Sequence, residues 1–164
     1  MFRKQRIGKI EDIINKDMDN INNAIIKKLN HLIATSSYSQ NNYTNAAENV
    51  KNEALKKSFQ QYAKERALDI SELKLIIKSL GSFHEEDVGV PNNKEMKIRS
   101  AFIDIDENSL INKCVLSDDD VIDAYNEALS GNAIFGSIKD ILIYQLSGIK
   151  NAIKDIRIYS RKVS

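Results

Sequence analysis

The sequence predicts an all-α protein: four long helices in one bundle, split two and two by a long connector, with a further amphipathic helix ahead of them. Three observations carry that expectation. One proline and six glycines in 164 residues leave few places for the chain to break, so most of it runs in long regular elements, helices above all. Apolar and small residues recur every three or four positions over four separate stretches, the period of a helix buried on one face. An apolar fraction of 42% with a net charge of +1 describes a folded chain of about one domain's length with enough apolar side chains for a core.

The first bundle helix is carried by a 4-3 seam through Ile25, Leu29, Leu32, Ser36, Ser39, Tyr43, Ala46 and Val50. Asn52 reads as the N-cap of the second, whose stripe is Leu55, Phe59, Ala63, Ile70, Leu73, Ile77 and Leu80, and Gly81 ends it. So short a link makes the two helices antiparallel neighbours. From Gly81 to Asn93 the pattern stops, around Pro91 and two of the glycines. Fully extended at about 3.3 Å per residue, this connector is long enough to cross the whole length of a bundle. A brief helix around Met96, Ile98, Ala101, Phe102 and Ile105 follows. Asp106 to Ser109 supplies caps for the third long helix, with Leu110, Cys114, Val121, Ile122, Tyr125 and Leu129 inward and Ser130-Gly131-Asn132 closing it. Phe135, Ile138, Leu142, Ile149, Ala152, Ile156 and Tyr159 mark the fourth. Residues 1–20, apolar at Ile7, Ile10, Ile13, Ile14 and Met18, read as a separate extension, and 21–164 as a single bundle domain. Two pairs of helices joined by a long crossover form a ferritin-like outline rather than an up-down-up-down one.

Five segments add a likeness to this outline. Leu29-Asn30-His31-Leu32-Ile33, Tyr43 to Lys51, Leu55-Lys56-Lys57-Ser58-Phe59, Glu65-Arg66-Ala67 and Asp123 to Leu129 resemble a bacterial ferritin-like family catalogued as domain of unknown function 2383, over about residues 22–160. The resemblance implies a ferritin-like bundle in a bacterial cytoplasm, a loose link to stress physiology, and no established reaction.

A di-iron bundle needs a Glu from each of two helices and a Glu-x-x-His from each of the other two. Three residues after Glu65, Glu72 and Glu127 come Leu68, Leu75 and Ser130, and no Glu-x-x-His occurs anywhere. His31, near the start of the first bundle helix, and His84, in the connector, stand away from the central positions. Laid on the ferritin-like pattern, the ligand positions fall on Ser36, on Arg66 and Asp69, on Asp118, and near Ile149 to Ile153. That is no di-iron set. Arg66 on the seam, with Asp69 and Asp118 at similar depth, suggests instead a guanidinium bonded to carboxylates where a metal would otherwise sit. The alternative is that Arg66 and Asp118 turn to the surface as charged residues usually do.

Other constellations have plainer readings. Asp118-Asp119-Asp120 lacks the alternate spacing and glycine turn of a calcium loop and reads as a solvated acidic face. Loop solvation likewise accounts for Glu85-Glu86-Asp87 beside His84. Arg3, Lys4, Arg6 and Lys9 form a basic patch, but the balanced charge argues against a nucleic-acid-binding arm. No apolar run approaches the roughly 20 residues a membrane helix needs, and neither a leader nor a disulfide pattern is evident, so the cytoplasm is the expected compartment. Cys114 lacks a histidine nearby in sequence and reads as a core residue. The six tyrosines read as core or hydroxyl-bonding groups.

With no catalytic constellation and no cofactor motif, the sequence points to a non-enzymatic bundle that acts by association with itself, a dimer above all, or with a protein partner. Two alternatives stay open: a single ion held by Asp69 and Asp118, aided by Glu65 or Glu48, or a lipid or small molecule in a cavity around Ser36, Ser39 and Ala63.

Overall fold

The computed structural model describes residues 2–82 and 106–162. Its described residues form four helices and no strands: α1 (Phe2–Asn49), α2 (Glu53–Ser79), α3 (Glu107–Leu129) and α4 (Gly136–Lys162). The connector beyond Ser82, with His84 and the acidic run after it, and the expected brief helix at Met96 to Ile105 lie outside the described residues.

Where the sequence predicts two N-terminal helices, α1 is one helix of 48 residues. Between Lys9 and Asn49 there is neither glycine nor proline, so nothing interrupts the hydrogen-bond ladder near residue 20. The separate extension expected over residues 1–20 is thus, from Phe2 onward, the outer turns of the first bundle helix. From Arg3 on its side chains lie open to solvent, and burial begins at Ile25.

The helix ends follow the cap chemistry. The Asn52 side chain accepts a hydrogen bond from the Leu55 amide at 3.1 Å and Asp106 accepts one from the Ser109 amide at 2.7 Å, each satisfying an amide with no partner inside its helix. At the end of α2 the Ser82 amide donates to the Ile77 carbonyl and the Gly81 amide to the Lys78 carbonyl. This pairing needs a left-handed residue, and Gly81 supplies it at φ 83°.

Residues 25–33 of α1, 70–77 of α2, 121–128 of α3 and 142–149 of α4 share one apolar cluster. Residues 43–50, 55–62, 110–115 and 152–156 share the other. Thus α1 and α4 run one way, and α2 and α3 run the other. α1 packs beside α2 and α3, α4 beside the same two, and α2 and α3 face each other across the diagonal. Ser79, ending α2, and Glu107, starting α3, consequently stand at opposite ends of a bundle about 40 Å long, the length of a 27-residue helix.

Every seam position named for α1 from Ile25 to Val50 is buried. One inward assignment on the fourth helix is corrected: Phe135 is exposed and Ile134 is buried in its place. Phe135 precedes the first helical residue, so helical spacing does not govern its direction. Among the described residues no helix is long and apolar enough to cross a membrane.

Leu73 is fully buried and Leu68, five residues earlier on α2, is exposed. Leu73→Ala should cost about 2–5 kcal/mol of unfolding free energy and Leu68→Ala less than about 0.5 kcal/mol, measured by urea titration followed by circular dichroism.

Candidate functional site

Between the two apolar clusters the seams turn polar. Ser36 and Ser39 on α1, Arg66 on α2 and Ser117 and Asp118 on α3 are all buried. Arg66, with 1% of its surface exposed, heads the largest fully buried side chains of the protein, and Asp118 has none exposed. An unpaired charge at this depth is prohibitively costly, so the local geometry has to neutralise both.

The pairing is bidentate. Arg66 Nε donates to Asp118 Oδ1 at 3.1 Å and an Arg66 terminal nitrogen to Oδ2 at 2.9 Å, across the bundle diagonal. Ser39 Oγ donates to Oδ1 at 2.6 Å and the Tyr43 hydroxyl to Oδ2. Four hydrogen bonds from α1 and α2 therefore converge on one carboxylate of α3. The other Arg66 terminal nitrogen lies 3.6 Å from Asp69 Oδ2, and the guanidinium carbon sits 5.8 Å from the Tyr43 ring centroid, within the range of a cation–π contact. Tyr43 is itself held by tilted rings of Phe59 and Tyr62, at 6.0 and 5.6 Å.

A second chain of bonds brings in α4. The Tyr125 hydroxyl donates to Gln145 Oε1 at 2.7 Å, and Gln145 Nε2 donates to the Asp69 carbonyl at 3.3 Å. Nearer the other end, the Tyr62 hydroxyl donates to Asp155 at 2.8 Å. Ser36 is buried in the same layer, its hydroxyl without a hydrogen-bond partner.

The protonation states follow from burial and neighbours. Burial by itself lowers the Arg66 pKa, but the Asp118 charge and hydrogen bonds outweigh it and hold the guanidinium above its ordinary value. Tyr43 is raised well above its usual range by burial first, then by the charge and hydrogen bond of Asp118, so it stays a donor. Burial, more than Asp118, also lifts the Cys114 thiol, which directs its sulfur at the Asn42 carbonyl at 3.7 Å. Asp69 differs. Burial pushes its carboxyl up to about 7, with Glu72 and Glu65 adding to the rise, against the lowering effect of Arg66. A groove of about 420 Å³ between α2 and α4, walled by Glu65, Glu72, Tyr144 and Gln145, brings solvent to Asp69, while Arg66 at its floor stays buried.

The geometry brings together Arg66, Asp69 and Asp118 and not the other named groups. His31 and Glu48 lie on the exposed face of α1, and Glu65 accepts a hydrogen bond from Gln61. Asp118 corrects the reading of residues 118–120 as one solvated face, because only Asp120 is exposed and Asp119 is half-buried. The room expected around Ser36 and Ser39 is taken up by the polar layer, and Ala63 lines a surface groove between α1 and α2 with Thr44, Glu48 and Gln60. Among the described residues no group of three or more His, Cys, Asp or Glu is placed to hold a metal ion.

A family model described as Domain of unknown function (DUF2383) matches residues 24–131. The chain belongs to this family. No match was found among curated proteins. The DUF2383 match opens one residue before Ile25, where α1 enters the bundle, and takes in α2, α3 and the whole Arg66–Asp118 centre. Residues 2–23 and α4 fall outside it.

Tyr43 makes a hydroxyl bond of the kind expected of the tyrosines, but periodicity marks Ser39 only as a small seam residue and gives Gln145 no role. The signal for Gln145 was present: it lies between Leu142 and Ile149 at the 3-4 spacing, where an apolar residue is expected.

Arg66→Met should cost about 3–5 kcal/mol, since it leaves Asp118 charged and buried. The double variant Arg66→Met/Asp118→Leu should recover most of that loss, and a double-mutant cycle in urea measures the coupling. For Asp69, the folded state keeps a proton up to about pH 7 that the unfolded chain releases near pH 4. The wild type is therefore expected to lose stability as pH rises from about 4 through 7. Relative to Asp69→Asn the loss should reach about 1–2 kcal/mol, less than the full shift implies because the groove admits solvent.

Proposed function

We propose that this chain is a ferritin-like four-helix bundle in which a guanidinium stands where such bundles hold metal, and that it works by association, with itself or with a protein partner, rather than by catalysis. The observation that carries the reading is the saturation of Asp118: both of its oxygens are taken by Arg66, Ser39 and Tyr43. Cations bind through anionic oxygens with free lone pairs and neutral imidazoles, and this centre offers a fixed cation instead. The residues present do not fit a di-iron group. The ferritin-like topology is supported by the parallel course of α2 and α3, whose joined ends lie at opposite ends of the bundle. The proposal includes a bacterial cytoplasmic setting and a loose link to stress physiology, for which the family resemblance is the support.

Chemistry at the centre has little to start from. The donors that meet Asp118 are engaged, the thiol of Cys114 is raised by burial, and the solvent-facing groove that reaches Asp69 is lined by the hydroxyls of Tyr144 and Ser147 and by carboxylates, with neither an imidazole nor a thiol among its lining residues. A surface task is the remaining use of such a scaffold.

Protein purified without chelators should carry less than about a tenth of an equivalent of iron, manganese or zinc, and its melting temperature should not move when these are added, because a ligand that binds only the folded state raises it. A stoichiometric metal that is lost in Asp118→Asn would favour a single-ion centre and overturn the reading.

A further inference from the structure

The seam that buries α1 in the bundle does not stop where the bundle does. Upstream of Ile25 it continues at the same three- and four-residue spacing through Ile21, Met18, Ile14, Ile10 and Ile7, with Ile13 beside it. Inside the bundle its positions are closed to solvent, whereas these six are 48–60% exposed. Twenty residues of helix, about 30 Å, thus carry an apolar face that the described part of the chain leaves uncovered.

Charge on this segment is segregated. Arg3, Lys4, Arg6 and Lys9 occupy its first half, and Glu11, Asp12, Asp17 and Asp19, with Lys16, occupy its second. That order runs against the helix itself: α1 has no acidic residue in its first turn, and the positive end of the helix dipole faces three of the basic groups. Local helix energetics therefore do not account for it. Antiparallel pairing with an identical segment does, since it lays each basic half on the other's acidic half.

We infer that residues 6–18 of α1 form an antiparallel helix pair with the same residues of a second copy of this chain. The register is set by the stripe: Ile10 packs beside Ile14 of the second copy and Ile7 beside its Met18, the alternation that antiparallel seams require. Arg6 and Asp17 are eleven residues apart, close to three whole turns, and lie about 20° from each other around the helix on one flank of the stripe. The same register brings Arg6 of each copy to Asp17 of the other, twice by symmetry. Parallel pairing would set basic on basic. The acidic half disfavours an anionic membrane as the cover, although the basic half alone would suit one. This rests on the association reading above and names its partner.

Sedimentation velocity of the full chain over a concentration series should show a monomer–dimer equilibrium. Ile10→Asp/Ile14→Asp should weaken the dimer more than about 100-fold, with the bundle's melting transition retained because neither side chain is in the core. Arg6→Asp should weaken it about tenfold, and adding Asp17→Arg should bring it back. A wild-type chain that is monomeric throughout, an Arg6→Asp variant that dimerises more tightly, or a chain that floats with phosphatidylserine–phosphatidylcholine vesicles without dimerising would overturn the inference. A dimer that survives Ile10→Asp/Ile14→Asp would overturn this face and leave association standing, whereas a bound metal would strike the reading of the centre and leave the helix pair untouched.

Discussion

A guanidinium closed off from water at the middle of four helices constrains everything packed around it. Arg66 contributes five fixed N–H donors in one plane, and among the described residues it is Asp118, on the helix diagonally opposite, that meets them with two bonds. The diagonal distance therefore cannot change without breaking both bonds. Ser39 and Tyr43 on α1 complete the coordination of the same carboxylate, so a sliding of α1 by one turn would remove two of the four hydrogen bonds to a buried charge. Apolar clusters tolerate repacking when volume is kept, but a directional polar layer does not. Replacement of such a pair by apolar residues is often neutral or stabilising in other proteins, so its consequence here is the register of three helices rather than raw stability.

The same constraint explains where the core is divided. Two apolar clusters flank the polar layer, and the layer needs small residues to make room for a guanidinium and two phenol rings. Ser36 and Ser39 provide that room on α1, and Ser117 turns its hydroxyl back to the Cys114 carbonyl at 2.9 Å. Gln145 extends the network to α4 by joining the Tyr125 hydroxyl to the α2 backbone. What reads along one helix as a run of serines is, in three dimensions, the space on one side of an arginine.

The sequence carried the fold plainly because helical burial has a period. The α1 seam from Ile25 to Val50 is buried at every named position, and the stops at Gly81 and Gly131 coincide with left-handed residues just past helix ends. It carried the site less fully. Arg66 was legible as a charge on an apolar stripe, but the matching of Asp118 to Ser39 and Tyr43 depends on which faces meet, and periodicity along one helix does not encode a partner 75 or 79 residues away. Phe135 shows the opposite failure: spacing was extended past the helix that generates it. The division of α1 into two helices failed for a related reason, because a stripe without a bundle around it resembles a separate element although no residue breaks the chain.

That undivided helix links the buried centre to the exposed end. A segment of about 20 residues rich in Ile and charged residues would be a marginal helix alone, since nucleation is costly in water. Continuous with α1, it needs only propagation from turns that the bundle already holds. The bundle thus fixes the direction of the outer turns as well, because Ser39 and Tyr43 set the rotation of α1 about its axis, and with it the side on which Ile7, Ile10 and Ile14 emerge. A shift of the polar layer by one turn would rotate the outer stripe together with the inner one. The charge buried at the centre and the apolar face left at the tip are therefore two ends of one rigid element, and the orientation of the second follows from the bonds of the first.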